Sequence, residues 1–82
     1  MNKPLPPLST VATSFKLGNY QHFKGDKYCA LFVARDSETL EEMVVYQGLY
    51  GENPVFVRPL ANFTEQIERP EYCGPRFVYI GK

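Results

Sequence analysis

Few side chains in this sequence are equipped for chemistry. His22 is the single histidine, so only one imidazole is available for acid–base work or metal binding. Cys29 could meet it across a hairpin turning at Lys24-Gly25-Asp26 and form a nucleophilic dyad. Such a dyad needs a third orienting group, and a thiol in an apolar strand is ordinarily inert. His22, Cys29 and Cys73 show no CxxC or HxxxH spacing, so no metal is assigned. No glycine-rich phosphate loop is present, so no cofactor is assigned. Glu38, Glu41 and Glu42 could supply paired carboxylates, which act as acid and base only when close together and desolvated. Arg58 is the most informative. It ends an apolar stretch between Val57 and Pro59, where a guanidinium can either reach out to water or grip a carboxylate or phosphate with two prongs. Tyr46, Tyr50 and Phe56 precede it; Tyr46 and Tyr50 read equally as stacking surface or core, and Phe56 as core.

Short elements must position these groups. Seven prolines and six glycines divide 82 residues into pieces suited to strands and turns. Strands are predicted over 17–23, 27–35, 43–49, 54–58 and 76–80. The second is apolar on both faces at Ala30-Leu31-Phe32-Val33-Ala34, the pattern of a strand that is buried on both sides or sharply bent. Asp36 to Thr39 reads as a polar loop, and Asn62 with Glu65 as the cap of a helical turn through Ile67. Five short strands with one helical turn before the last is the plan of an SH3-like barrel, a mainly β fold. The barrel is expected over residues 15–82. Residues 1–14, with Lys3-Pro4-Leu5-Pro6-Pro7-Leu8, read as a flexible, proline-rich tail that is extended and could dock on its own barrel or a neighbour's. Tyr20, Tyr28, Phe32 and Phe77 are assigned to the fold.

The charge balance narrows the partners. Nine basic and nine acidic side chains cancel, which argues against a general nucleic-acid binder. Five acids and no base lie between Asp36 and Val57. No secretory leader and no apolar run of about 18 residues is evident, so a cytoplasmic protein with reduced thiols and no membrane contact is expected.

The runs Gly18-Asn19-Tyr20-Gln21-His22-Phe23-Lys24-Gly25, Ala34-Arg35-Asp36-Ser37-Glu38-Thr39, Val44-Val45-Tyr46-Gln47-Gly48-Leu49-Tyr50-Gly51, Val57-Arg58-Pro59-Leu60 and Pro75-Arg76-Phe77, with Phe63 and Glu65, resemble the small bacterial family of domain of unknown function 1653. The resemblance implies an SH3-type β roll and no known activity. It carries over His22, Lys24, Ser37, Glu38, Thr39, Tyr46, Tyr50, Arg58 and Glu65, which are mostly polar, whereas a motif that only built a core would be apolar. Asp36 stands where the family has histidine, Phe56 where it has tryptophan, Phe23 where it has tyrosine and Asn62 where it has methionine. A two-histidine site is thereby argued against.

Three functional readings follow. The first is a binding module whose groove is lined by His22, Lys24, Thr39, Tyr46, Tyr50 and Arg58, with Glu38 at the rim. Its ligand would be a small anion, a peptide or a partner subunit, and an exposed aromatic patch on so small a barrel favours a homodimer. The second is a small hydrolase using His22 with Glu38 or Glu42. The third, a nucleic-acid contact through Lys24, Lys27, Arg35 and Arg58, rests on fold analogy alone.

Overall fold

The computed structural model describes residues 5–82. Seven strands form two antiparallel sheets. The larger, in the order β4-β3-β2-β1-β7, contains β1 (Gly18–His22), β2 (Lys27–Arg35), β3 (Glu42–Gly48), β4 (Val55–Pro59) and β7 (Phe77–Gly81). The smaller is a hairpin of β5 (Gln66–Arg69) and β6 (Tyr72–Pro75). Two short helices, α1 (Thr10–Ser14) and α2 (Leu60–Phe63), complete the elements among the described residues.

Alternation along the strands sorts the side chains onto two faces. The register sets Phe56, Tyr46 and Ala30 in one cross-strand row, and Tyr79, Tyr20 and Tyr28 in another. His22 stands opposite Phe77. These residues share the inner face, and α2 closes it with Leu60 and Phe63, the latter only 1% exposed. Phe63 and Phe77 stack with centroids 4.0 Å apart, while Phe15, Tyr20 and Tyr46 meet Phe63 edge-on. A thin domain thus fills its interior with rings from few positions. Burial raises the Tyr20 phenol to about 12, helped by Tyr79; its hydroxyl donates to the Lys16 carbonyl at 2.6 Å.

The apolar run in β2 bends rather than being buried on both sides. A register shift between Ala30 and Phe32 marks a bulge. It turns Phe32 outward, 62% exposed, so this residue, assigned to the fold, takes no part in the core. Phe56 is likewise exposed at the sheet edge. The helical turn lies earlier than predicted: Pro59 is its N-cap and Asn62 sits inside it, so Asn62 is not the cap. The chain from Glu65 onward then pairs as β5–β6 instead of staying helical through Ile67.

Residues before Phe15 also contact the sheet and core. Ser9 caps α1, its hydroxyl accepting from the Ala12 N–H at 3.1 Å, and Ala12 is buried with Leu8 and Phe15 packed beside it. The Ser9 N–H and hydroxyl donate to the Glu42 carboxylate at 2.7 and 2.6 Å, holding that carboxyl below its usual range. Arg35 donates to the Pro6 carbonyl at 2.8 Å. This segment therefore lies against its own sheet; the part of the expected tail over residues 1–4 is outside the described residues. No helix among the described residues is long and apolar enough to cross a membrane.

Candidate functional site

One polar network crosses the inner face. Arg58, near the end of edge strand β4, reaches inward over the Phe77 ring, 5.5 Å from its centroid. Its Nε donates to the Tyr46 hydroxyl at 3.0 Å, and Nη1 donates to Asn62 Oδ1. Asn62 Nδ2 donates to Glu65 Oε1 at 3.2 Å, and the same oxygen accepts from Arg76 Nη2 at 2.8 Å. Four elements or their flanks thus contribute: β3, β4, α2 and the residue before β7. Two guanidiniums are joined through one amide and one carboxylate. The Arg76 side chain is 18% exposed, and its Nε is buried with no acceptor among the described residues.

His22 lies beside this network. Its ring packs 4.9 Å from Phe77 and 4.6 Å from Phe23, and its Nδ1 accepts from the Lys24 backbone N–H at 3.1 Å. Partial burial lowers its pKa, and the positive charges of Arg58, Arg76 and Lys24 lower it further; only Asp26 opposes them. The imidazole is therefore neutral at physiological pH. The folded form binds its proton less readily than the unfolded chain, so this contribution to stability is intact above pH 6.5 and is lost as pH falls from there through the lowered folded value. A melting temperature measured from pH 7.5 to 5 should fall across that window in the wild type. His22→Asn, which keeps an acceptor in place of Nδ1, should remove the step; an unchanged profile would disprove the assignment.

An aromatic strip borders the cations. Tyr28 meets His22, Tyr46, Tyr50, Phe56 and Phe77 edge-on, with centroids 5.4 to 6.4 Å apart. Tyr50 folds back over Gly48 to place its hydroxyl 3.4 Å from that of Tyr28. A Cβ on Gly48 would stand 2.8 Å from the Tyr50 ring, so the strip requires glycine there. At the other end Phe23 stacks on Tyr72 of β6, with Arg69 and Lys24 above its ring, and so ties the β1–β2 turn to the small hairpin.

The structure gathers His22, Tyr46, Tyr50 and Arg58 into this region, with Lys24 at its margin, but not Glu38 or Thr39. Those two lie in the Asp36–Leu40 turn, beyond the far end of the nine-residue β2 from His22. There their backbone N–H groups donate to Asp36 Oδ1 at 2.8 and 3.0 Å, lowering its pKa, and the Thr39 hydroxyl accepts from the Glu41 N–H at 3.2 Å. Glu42 is engaged with Ser9. Asp26 is the only carboxylate acting on His22, so the pairing of His22 with Glu38 or Glu42 is not formed. Tyr46 is 4% exposed and belongs to the core. Cys29 lies between Tyr28 and Ala30 in β2 and so faces away from His22, which removes the dyad. Both cysteines are free thiols. No group of three potential metal ligands comes together among the described residues. Arg35, at the far end of β2 and bonded to Pro6, is not continuous with Lys24 and Lys27.

The signature of the family described as "Protein of unknown function (DUF1653)" matches residues 18–79. The chain belongs to the DUF1653 family. It is similar to a protein of that family from Bordetella bronchiseptica, whose crystal structure superposes with a TM-score of 0.79 at 40% identity, over 85% of this chain and 92% of the other. No curated protein matches. The DUF1653 match spans every residue of the network from Tyr46 to Arg76. Sequence reasoning did not single out Arg76, Tyr28 or Asn62 as site residues. Arg76 carried a signal in the Pro75-Arg76-Phe77 run, but its partner, Glu65, follows α2, and only the folded chain brings them together.

Two cavities lie elsewhere. One of about 410 Å³ opens between α1, α2 and the start of β3, lined by Ser9, Val11, Glu42, Leu60 and Thr64 among others. The other, about 400 Å³, lies along the β5–β6 hairpin. Neither includes a cation.

Proposed function

We propose that this DUF1653 domain is a binding module for an anionic ligand, held by Arg58 and Arg76 beside the aromatic strip. The observation that carries this reading is the donor balance of the two guanidiniums. Arg58 spends Nε and Nη1 on protein acceptors, and Arg76 spends Nη2 with its Nε buried, so Nη2 of Arg58 and Nη1 of Arg76 have no protein acceptor among the described residues. Two cations are offset by the single carboxylate of Glu65, and the neutral His22 adds no charge. Guanidiniums with spare donors suit a carboxylate or phosphate, and Tyr28, Tyr50 and Phe56 offer ring faces to an apolar portion of the same ligand.

The test is thermal denaturation with inorganic phosphate, acetate, benzoate and phenyl phosphate. A ligand at 100 times its Kd stabilises by about 2.7 kcal/mol, on the order of 10–20 °C for a domain of this size. The aromatic anions should act at lower concentration than phosphate or acetate. Arg76→Gln should abolish the shift while lowering the unliganded melting temperature only modestly, because glutamine keeps an amide donor for Glu65, whose side chain is 50% exposed although that of Arg76 is only 18% exposed. No shift with any of the four anions, or an equal shift in Arg76→Gln, would refute the reading.

A further inference from the structure

Strand β4 is an edge, and Val55, Phe56 and Val57 are successive exposed apolar side chains, the two valines each 59% exposed. The alternation of its hydrogen bonds is fixed by Gly48 N, which donates to the Pro54 carbonyl at 2.8 Å. Pro54, Phe56 and Arg58 therefore turn their backbone groups toward β3, and Val55 and Val57 turn theirs outward. An exposed apolar edge with outward donors is a template for another strand. The opposite edge, β7, is less suited: its exposed apolar side chains, Val78 and Ile80, occupy one face only.

We infer that β4 pairs antiparallel with β4 of a second copy of this chain, about a twofold axis at Phe56. In that register Val55 meets Val57 of the second copy, and Val57 meets its Val55. All four outward N–H groups then find carbonyl partners. Shifting the axis to Val57 sets Val55 against Pro59, which has no N–H, and shifting it to Val55 sets Val57 against Asn53, outside the strand and at φ +56°. Pro54 and Pro59 bound the ladder at both ends. Charge is compatible: the only charged residue in β4, Arg58, meets Pro54 of the second copy, with the acidic Glu52 two residues further along. The two Phe56 rings become cross-strand neighbours on the inner face and join the aromatic strips, while Val55, Val57, Val45 and Phe32 continue across the outer face. Pairing of one short strand per copy buries less than the roughly 1,200 Å² of a tight interface, so the dimer dissociates in the micromolar range.

Sedimentation velocity on the full chain from about 5 to 500 µM tests this, a range that brackets micromolar affinity. The mass should double with concentration. Val55→Lys with Val57→Lys should weaken association at least tenfold without lowering the melting temperature of the dilute protein. Phe32→Lys, on the outer face two strands from the edge, should leave association intact. In a Cys29→Ser, Cys73→Ser background, Phe56→Cys should oxidise to a covalent dimer and Val57→Cys should not, because only this register sets residue 56 against itself. A monomer throughout, a dimer that withstands the lysines but is lost with Phe32→Lys, or faster crosslinking at 57 than at 56 overturns the proposal.

Discussion

Phe63→Ala should remove at least about a quarter of the folding stability. Phe63 is 1% exposed and its ring meets four others on the inner face. It stacks on Phe77 of β7, and it meets Phe15 before β1, Tyr20 in β1 and Tyr46 in β3 edge-on. Truncating such a phenylalanine removes its transfer free energy and leaves a cavity, together about 3–5 kcal/mol. A domain of this length has a total stability of about 4–12 kcal/mol. The melting temperature should therefore fall by at least about 12 °C. Phe63→Leu, which keeps much of the volume and loses the aromatic pairing, should cost about 1–2 kcal/mol. Equal losses in the two variants would show that stacking, not volume, sets the stability; a loss under about 1 kcal/mol in Phe63→Ala would show that the core can collapse onto the gap.

The same residue shows what the sequence can and cannot disclose. Strand alternation makes β1 to β4 legible to within a residue or two, because period-2 patterning and the turn at Lys24-Gly25-Asp26 are local signals. The β5–β6 hairpin is not legible in this way. Its strands are four residues each, joined by Pro70-Glu71, and carry one buried side chain, Ile67, so their pattern is too short to separate from a helical turn. The bulge after Ala30 is equally hidden, since an apolar run reads alike whether it is buried on both faces or bent with Phe32 outward. For the site, chemistry marked Arg58, Tyr50 and His22, but residue type and a shared family motif attached Glu38 and Thr39 to them. Nine residues of β2 separate the two groups, and a separation along a strand can be assigned only once the register is known.

Arg58→Lys should cost little stability and most of the anion binding, whereas Arg58→Ala should cost both. The guanidinium has two tasks. Through Nε and Nη1 it bonds the Tyr46 hydroxyl and Asn62, and its remaining donors are those proposed for the anion. Hydrogen bonds to a charged group contribute about 1.5–3 kcal/mol, so Arg58→Ala, which also uncovers Phe77, should lose about 2–3 kcal/mol. Lysine keeps the charge and the apolar stem but is a point donor that cannot form a planar fork, so it should lose roughly 1 kcal/mol or less of stability and at least tenfold in phenyl phosphate affinity. Tyr46→Phe separates the tasks further. If the Nε–hydroxyl bond carries much of the structural cost, Arg58→Ala becomes cheaper in a Tyr46→Phe background by about 1–2 kcal/mol, the coupling a double-mutant cycle would read. Tyr46→Phe should leave the anion shift in place, since that hydroxyl lies in the core. An Arg58→Lys protein that binds phenyl phosphate as tightly as the wild type would confine Arg58 to its structural task and leave Arg76 as the sole anchor.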